Sequence, residues 1–337
     1  MAGTTQPGVT LGTGLRRRSP DSVHSWGLRR GDALGSERRV VRRIAVGRKT
    51  EVYLAWDERR RSTVIAKTLR PDRVATKFEK LRREAELLER LSHPVLVRGY
   101  DASLDSNPPH LVLEHLEGPS LRQVMRDGPV PYPLVASVGL QVSSLLHYLA
   151  GEGLVHLDVK PHNILFAPGA PVQMLEPAGE GRPAQAPDGP SAAVKLIDVA
   201  GIQVVGHRTT GLGAAIPEHD SKASTVGTPA GVWLLGTTMW RALVGRTEGR
   251  FGGPRPSELL TASRFPGDVP EAMAEVVSAC VQDDPSRRPS PEQVAVVLEP
   301  FTEGVVGPVR VPRTHRRSWL ARAIGIQRAL SCARPPT

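Results

Sequence analysis

The stretch His156-Leu157-Asp158-Val159-Lys160-Pro161-His162-Asn163-Ile164-Leu165 decides the fold of this chain. It holds a carboxylate, an amine and an amide, with Asp158 and Asn163 five positions apart between apolar residues that would fix a loop. Phosphoryl transfer requires a cation at the phosphates, oxygen ligands for a divalent metal, and a carboxylate that positions the attacking hydroxyl. The stretch therefore supplies the residue types for phosphoryl-transfer chemistry in one short loop.

The same stretch resembles the catalytic loop of protein kinases, H-R-D-L-K-P-x-N-I-L. The resemblance implies that Asp158 orients the substrate hydroxyl and accepts its proton, and that Lys160 contacts the transferred phosphate, as in serine/threonine kinases. It also implies that Asn163 binds a metal ion. Downstream, Val194-Lys195-Leu196-Ile197-Asp198 resembles the strand that leads into D-F-G, so Asp198 is expected to be the second metal ligand.

Upstream segments resemble the parts of a kinase that hold ATP. Val64-Ile65-Ala66-Lys67 is similar to the strand motif V-A-I-K, and Glu84 on the following helix is the expected partner of Lys67. Leu111-Val112-Leu113-Glu114 is similar to the hinge, with Leu113 at the gatekeeper place. The residues that the resemblance assigns to nucleotide binding are Ala45, Val46, Gly47, Val52, Ala66, Lys67, Glu84, Leu113, Glu114, Leu116 and Leu165.

Hydrophobic patterning agrees with this resemblance. Short apolar runs from Val40 to Ala66 predict antiparallel strands, Lys77 to Leu91 predicts an amphipathic helix, and helical patterns dominate after Gly118. The resemblance covers about residues 39–301 and implies an α+β, bilobal protein kinase-like fold. We expect a kinase domain over 37–303, with a small antiparallel β-sheet N-lobe carrying one helix (37–116) and a larger, mainly helical C-lobe (117–303).

Three segments fall outside this pattern. Residues 1–36 predict a disordered basic tail, residues 304–337 a basic tail, and residues 167–192 a low-complexity insertion rich in Gly, Pro and Ala. The formal net charge of +10 resides largely in arginines near the two ends. Because no nucleic-acid-binding motif accompanies them, we expect no specific nucleic-acid partner; solvated tails, or weak contacts with acidic partners or a membrane surface, are the alternatives.

Composition also bears on location. The most apolar run, Leu134 to Leu149, is interrupted by polar residues, so we expect no transmembrane anchor. The two cysteines, Cys280 and Cys332, form no disulfide framework. A cytoplasmic protein is therefore expected.

Several supporting positions depart from the kinase pattern. Alignment on Val52 places Ala45, Gly47 and Thr50 at the three glycine positions of the phosphate-covering loop, so two glycines are replaced. Leu157 replaces an arginine that captures activation-loop phosphate, which predicts little dependence on phosphorylation at Thr209 or Thr210. The D-F-G triplet is Asp198-Val199-Ala200, and Gly231 replaces an aspartate that would accept hydrogen bonds from the catalytic-loop backbone.

These observations predict a serine/threonine protein kinase that transfers the γ-phosphate of ATP, with Mg²⁺ or Mn²⁺, to hydroxyls of protein substrates including itself. The first alternative is a catalytically silent or weak pseudokinase scaffold of the same fold, because the phosphate-covering loop is degenerate. The second is a small-molecule phosphotransferase. Lys160-Pro161 and an expected ion pair between Glu218 and Arg288, both protein kinase features, argue against the second alternative.

Overall fold

The computed structural model describes residues 25–167, 193–207, 216–220, 225–245 and 265–302. The chain divides into two compact units. The first unit runs to Arg82 and includes Tyr100–Leu113, and the second comprises Arg83–Gly99 and the chain from Glu114 onward. The first is built on a β-sheet and the second mainly on helices, which confirms the predicted α+β class.

A six-stranded sheet with the order β1-β2-β3-β4-β6-β5 organises the first unit. Its strands are β1 (Ala33–Leu34), β2 (Arg38–Val46), β3 (Thr50–Asp57), β4 (Ser62–Leu69), β5 (Gly99–Ser103) and β6 (His110–Glu114). Strands β1 to β4 pair antiparallel in sequence order. Because side chains alternate along a strand, one face of β3 and β4 carries a buried apolar cluster that includes Tyr53, Ala55, Val64 and Ala66, and Val52 and Lys67 lie on the other face.

The predicted disorder of residues 1–36 is wrong for residues 25–36. This segment is hydrogen-bonded to the sheet, because the Gly31 N–H donates to the carbonyl of Val40 on β2 at 2.8 Å. Leu34 is fully buried in the apolar cluster and Leu28 packs against it. The physical reason is that the cluster face needs an apolar cover, and two leucines supply it although the local composition is dominated by Gly, Ser and Arg.

Helices and short strand pairs make up the rest of the described chain. The helices are α1 (Val74–Arg90), α2 (Leu121–Val124), α3 (Tyr132–Gly151), α4 (Thr228–Val244), α5 (Glu271–Cys280) and α6 (Pro291–Leu298). Strand β7 (Leu154–His156) pairs antiparallel with β10 (Ile202–Val204), and β8 (Ile164–Phe166) pairs antiparallel with β9 (Val194–Leu196). The core of the second unit forms where α3 packs against α4 and α6.

Helix α3 is long and apolar enough to cross a membrane by length and composition, with 20 residues and a mean hydropathy of 1.3. Of its apolar window, 61% is buried inside the protein. The polar residues in α3 therefore do not by themselves exclude a membrane-spanning helix. Burial against α4 and α6 is the better reason to regard α3 as a core helix.

An ion pair that the sequence predicted is present in the second unit. Arg288 donates from its two terminal nitrogens to the two carboxylate oxygens of Glu218, both at 2.7 Å. The same guanidinium donates to the carbonyls of Gln282 at 2.8 Å, Pro229 at 3.0 Å and Asp283 at 3.2 Å. Arg288 therefore connects four separate positions of the chain and has no exposed side-chain surface.

Some predictions concern residues outside the described ranges. They are most of the N-terminal tail (1–24), the insertion from residue 168 to 192, the C-terminal tail, and the expected loop positions Thr209 and Thr210.

Candidate active site

The loop between β7 and β8 carries Asp158 in a hydrogen-bonded network. The Lys160 ammonium donates to both carboxylate oxygens of Asp158 at 2.7 Å. The Asn163 side-chain amide donates to Asp158 Oδ2 at 2.8 Å and to the Asp158 carbonyl at 2.9 Å. The structure thus brings together the three loop residues that the sequence singled out, with the carboxylate held from two sides.

Asp198 is the second residue after β9 and lies next to this loop. Strands β8 and β9 pair Ile164 with Leu196, and the Ile197 N–H donates to the Asn163 carbonyl at 2.8 Å. Asp198 adopts a left-handed backbone conformation with φ of 75°, which aspartate tolerates better than most residues. The β8–β9 pair therefore holds the two predicted metal-binding residues on neighbouring segments.

The donor set at this place fits a hard divalent cation. Asn163 donates through its amide nitrogen to Asp158, so the atom it can offer to a metal is its amide oxygen. Asp198 adds a carboxylate. Amide and carboxylate oxygens are ligands that Mg²⁺ and Mn²⁺ prefer, and two protein ligands are typical where a phosphate completes the coordination.

His156 is a buried support for the catalytic loop. Its side chain is completely buried, and its Nδ1 accepts a hydrogen bond from the Asp158 N–H at 3.2 Å. Burial lowers the pKa of His156 to about 4, although the nearby carboxylates of Asp158 and Asp198 oppose this shift. Near neutral pH His156 is therefore uncharged and orients the backbone of Asp158 without titrating.

Gly201 is a site residue that the sequence analysis missed. Its carbonyl accepts a hydrogen bond from the Leu157 N–H at 2.9 Å. A Cβ at this position would lie 2.7 Å from the Cβ of Asp158 and 3.2 Å from its backbone nitrogen. Ala200, at the glycine place of D-F-G, is exposed, so the glycine that this packing requires stands one residue later. The sequence signal for this role was a glycine directly after the Asp198-Val199-Ala200 triplet.

Replacing Gly201 with alanine should therefore displace Asp158 and lower the rate of phosphoryl transfer by about 100-fold. The added methyl group cannot be accommodated without moving the backbone of one loop. Initial rates of phosphoryl transfer check this, with circular dichroism to establish folding. Ala200→Ser adds an atom to the exposed neighbour and should keep nearly the original rate; equal rates for both variants would contradict the assignment.

Three positions that depart from the kinase pattern, Gly231, Leu157 and Val199, are accommodated locally. Gly231 offers no side-chain acceptor to the catalytic loop, but the Leu157 N–H donates to the Gly201 carbonyl and the Asp158 N–H to His156. These two backbone donors therefore have acceptors although the aspartate is absent. Leu157 is 2% exposed, which agrees with a packing role. Val199 is 1% exposed and so occupies a buried place.

In the first unit, three of the predicted nucleotide-binding residues form a row across the sheet. Ala45 on β2 pairs with Val52 on β3, and Val52 pairs with Lys67 on β4. The prediction for Ala66 is wrong, because its side chain is fully buried in the apolar cluster on the opposite face. Ile65 instead shares the face of Lys67, as the alternation of side chains along a strand requires.

Three further predicted residues lie on short strands. Leu113 is the penultimate residue of β6 in the first unit, and Leu165 is the middle residue of β8 in the second. The Glu114 side chain accepts from Lys195 Nζ at 2.9 Å and from the Arg98 N–H at 2.7 Å, and the Glu114 N–H donates to the Arg98 carbonyl at 3.0 Å. The group that Glu114 can offer to a ligand is therefore its main-chain carbonyl. The partnership of Lys67 and Glu84, which belong to different units, stays a prediction.

An antiparallel sheet unit, a helical unit and the Asp158 network are features expected of a protein kinase. The family model described as the protein kinase domain matches residues 38–199. The chain is 28% identical over 229 residues to the serine/threonine-protein kinase PkaA of Streptomyces coelicolor and 29% identical over 303 residues to pkn2 of Myxococcus xanthus. It is also 29% identical over 269 residues to PknB of Mycolicibacterium smegmatis. Residues 38–199 therefore form a protein kinase domain, and the relatives named here are bacterial serine/threonine-protein kinases.

The extent of these matches differs between the partners. The matches cover 66%, 82% and 76% of this chain, but 40%, 34% and 38% of PkaA, pkn2 and PknB. The chain thus spans well under half the length of these relatives.

Proposed function

We propose that the chain is an ATP-dependent serine/threonine protein kinase that phosphorylates hydroxyls of protein substrates and of itself. The observation that carries this proposal is the Asp158 network, in which Lys160 and Asn163 hold the carboxylate through hydrogen bonds of 2.7 to 2.8 Å. A positioned carboxylate beside a cation is what transfer to a hydroxyl requires.

In the proposed reaction, Asp158 orients the substrate hydroxyl and takes its proton as the oxygen attacks the γ-phosphorus. The bond from the γ-phosphorus to the bridging oxygen breaks, and ADP leaves with the electron pair. Lys160 turns its charge toward the transferred phosphate. Asn163 and Asp198 would hold Mg²⁺ or Mn²⁺, which when bound neutralises charge on the phosphates.

The kinase resemblance assigns the following residues to ATP. Lys67, paired with Glu84, would contact the phosphates, and the hairpin residues Ala45, Val46, Gly47 and Val52 would cover them. The adenine would contact Leu113, Leu116, Leu165, Ile65 and the main chain of Glu114. A protein kinase domain in general uses ATP, a divalent metal and protein substrates. We further propose a cytoplasmic location, with basic tails that contact acidic partners or membrane surfaces weakly.

A pseudokinase scaffold is the competing proposal, and the observation that favours it is the pair Ala45 and Thr50 at glycine places. Thermal unfolding of the chain with and without Mg-ATP, followed by transfer of labelled γ-phosphate to a peptide, separates the two. The kinase proposal expects stabilisation by Mg-ATP and label that disappears in Asp198→Asn. A folded chain that transfers no more label than this variant would establish the scaffold.

The substrate surface beside Asp158 is expected to be positively charged. Helix α2 lies against the catalytic loop, since the Arg122 N–H donates to the Pro161 carbonyl at 3.0 Å. The pKa of His162 is lowered by partial burial and then by the positive charges of Arg122, Lys160 and Arg126. Positively charged side chains therefore surround His162, the exposed residue next to Asn163.

We accordingly expect serine peptides with flanking Asp and Glu to be phosphorylated with about ten-fold higher kcat/KM than peptides with flanking Lys and Arg. The double variant Arg122→Glu/Arg126→Glu should abolish that preference, because it reverses both charges. Arg90→Glu, an exposed change at the end of α1, is the matched control. Peptide kinetics at two salt concentrations provide the measurement, and a preference for basic peptides in the original chain would refute this prediction.

A further inference from the structure

The first residues of the described chain, Ser25 to Leu28, form a segment that we call the N-terminal strap. The strap binds Glu51, whose side chain has no exposed surface. Glu51 Oε2 accepts from the Ser25 hydroxyl at 3.0 Å and Oε1 accepts from the Trp26 N–H at 3.0 Å. The Tyr53 hydroxyl also donates to this carboxylate. The strap thus supplies two of the three donors that these contacts give to Glu51.

A second anchor connects the strap to the neighbouring strand. The indole N–H of Trp26 donates to the carbonyl of Leu69, the last residue of β4, at 2.7 Å. Leu28 packs against the apolar cluster beneath. The strap therefore binds both the beginning of β3 and the end of β4, which are paired strands.

The three donors reach a side chain that is out of contact with water. The pKa of Tyr53 is raised first by burial, then by its hydrogen bond to Glu51 and by the nearby carboxylate. Tyr53 therefore keeps its proton near neutral pH and acts as the donor to Glu51. A carboxylate out of contact with water is unfavourable unless hydrogen bonds satisfy it, so losing the strap would leave Glu51 short of donors.

Glu51 stands at the start of β3, directly after the turn of the β2–β3 hairpin. Arg70, the residue after β4, also contacts the turn: its N–H donates to the Lys49 carbonyl at 2.9 Å and its guanidinium to the Gly47 carbonyl at 3.4 Å. A Cβ on Gly47 would make an ordinary contact of 3.5 Å with the Thr50 carbonyl, so the turn shape does not depend on glycine. The turn is closed by the hydrogen bond from the Gly47 N–H to the Thr50 carbonyl at 2.8 Å, and contacts from outside the turn add to it.

We propose that the N-terminal strap positions the hairpin turn 47–50 over the phosphates of ATP, with Ser25 and Trp26 acting through Glu51. The strap lies before residues 38–199, which match the kinase family model. Glu51 and Tyr53 lie on the sheet face opposite Val52 and Lys67, so the strap acts on the nucleotide through the hairpin and does not touch it. The proposal rests on the proposed kinase function, because that function places phosphates under this hairpin.

The test measures the Kd of Mg-ATP by calorimetry, and the KM values of ATP and peptide, on the full chain. Glu51→Gln and Trp26→Phe, which removes the indole donor, should each raise the Kd and KM of ATP about five- to ten-fold and leave the peptide KM unchanged. Ser25→Ala removes one hydroxyl and should raise the ATP Kd about two- to three-fold, and it keeps the test decisive if a larger change prevents folding.

Trp56→Phe is the matched control, since Trp56 lies toward the far end of the same strand β3 and donates its indole N–H to Glu58. It should leave the Kd of Mg-ATP unchanged. Strap variants that melt at lower temperature but keep the original ATP Kd would make the strap a structural element only and overturn the proposal. A chain that binds Mg-ATP without transferring phosphate would refute the kinase activity alone, whereas a chain that binds no Mg-ATP would overturn both.

Discussion

Replacing Asp158 with asparagine should lower the rate of phosphoryl transfer by about 1,000-fold while Mg-ATP still binds. Asparagine has nearly the same shape, but it has no charge and cannot take the proton of the attacking hydroxyl. It would also present an amide nitrogen to the Lys160 ammonium, which at present donates to both carboxylate oxygens at 2.7 Å. The network would therefore lose the negative charge of Asp158 and one hydrogen-bond acceptor together.

Initial rates with a serine peptide, combined with the Kd of Mg-ATP, measure this effect. Asp105→Asn is the matched control, because Asp105 is an exposed aspartate on the turn between β5 and β6. The control should keep the original rate. A rate for Asp158→Asn within ten-fold of the original would remove Asp158 from the role of catalytic base.

The second large effect concerns stability. Arg288→Ala should lower the free energy of unfolding by about 3 to 5 kcal/mol, because it removes the guanidinium that binds both Glu218 carboxylate oxygens. The Glu218 side chain is 12% exposed, so water replaces the lost partner poorly. The carbonyls of Gln282, Pro229 and Asp283 lose a donor in the same change.

Urea unfolding at 25 °C measures this loss. Arg287→Ala is the matched control, since the Arg287 side chain is 74% exposed and its substitution should change stability by less than about 0.5 kcal/mol. The double variant Glu218→Ala/Arg288→Ala should be less destabilised than the sum of the single variants, because both remove the same pair. Similar midpoints for Arg287→Ala and Arg288→Ala would show that the pair contributes little.

The catalytic loop could be predicted from sequence because its side chains lie within six residues of one another. Their spacing in a short loop largely determines which atoms can meet, and Asp158, Lys160 and Asn163 do meet. The Glu218 and Arg288 pair could be predicted only through the resemblance, since 70 residues separate the two side chains.

Other features of the structure depend on packing between segments, which the spacing of residues along the sequence does not indicate. Gly201 is required by a close approach of two loops, which becomes visible only when the distance to Asp158 is known. The order of residues 25–36 was not predicted, because two leucines and a tryptophan carry the packing of an otherwise polar segment. Ala66 was a different kind of error, because the alternation of side chains along β4 already indicated that it faces away from Lys67.

The proposed kinase activity is tested by the initial rate at which the original chain transfers the γ-phosphate of ATP to a serine or threonine peptide. We expect phosphoserine or phosphothreonine that forms in proportion to enzyme and time and requires a divalent metal. A folded chain that is stabilised by Mg-ATP but forms no phosphopeptide with acidic, basic or neutral sequences would contradict it.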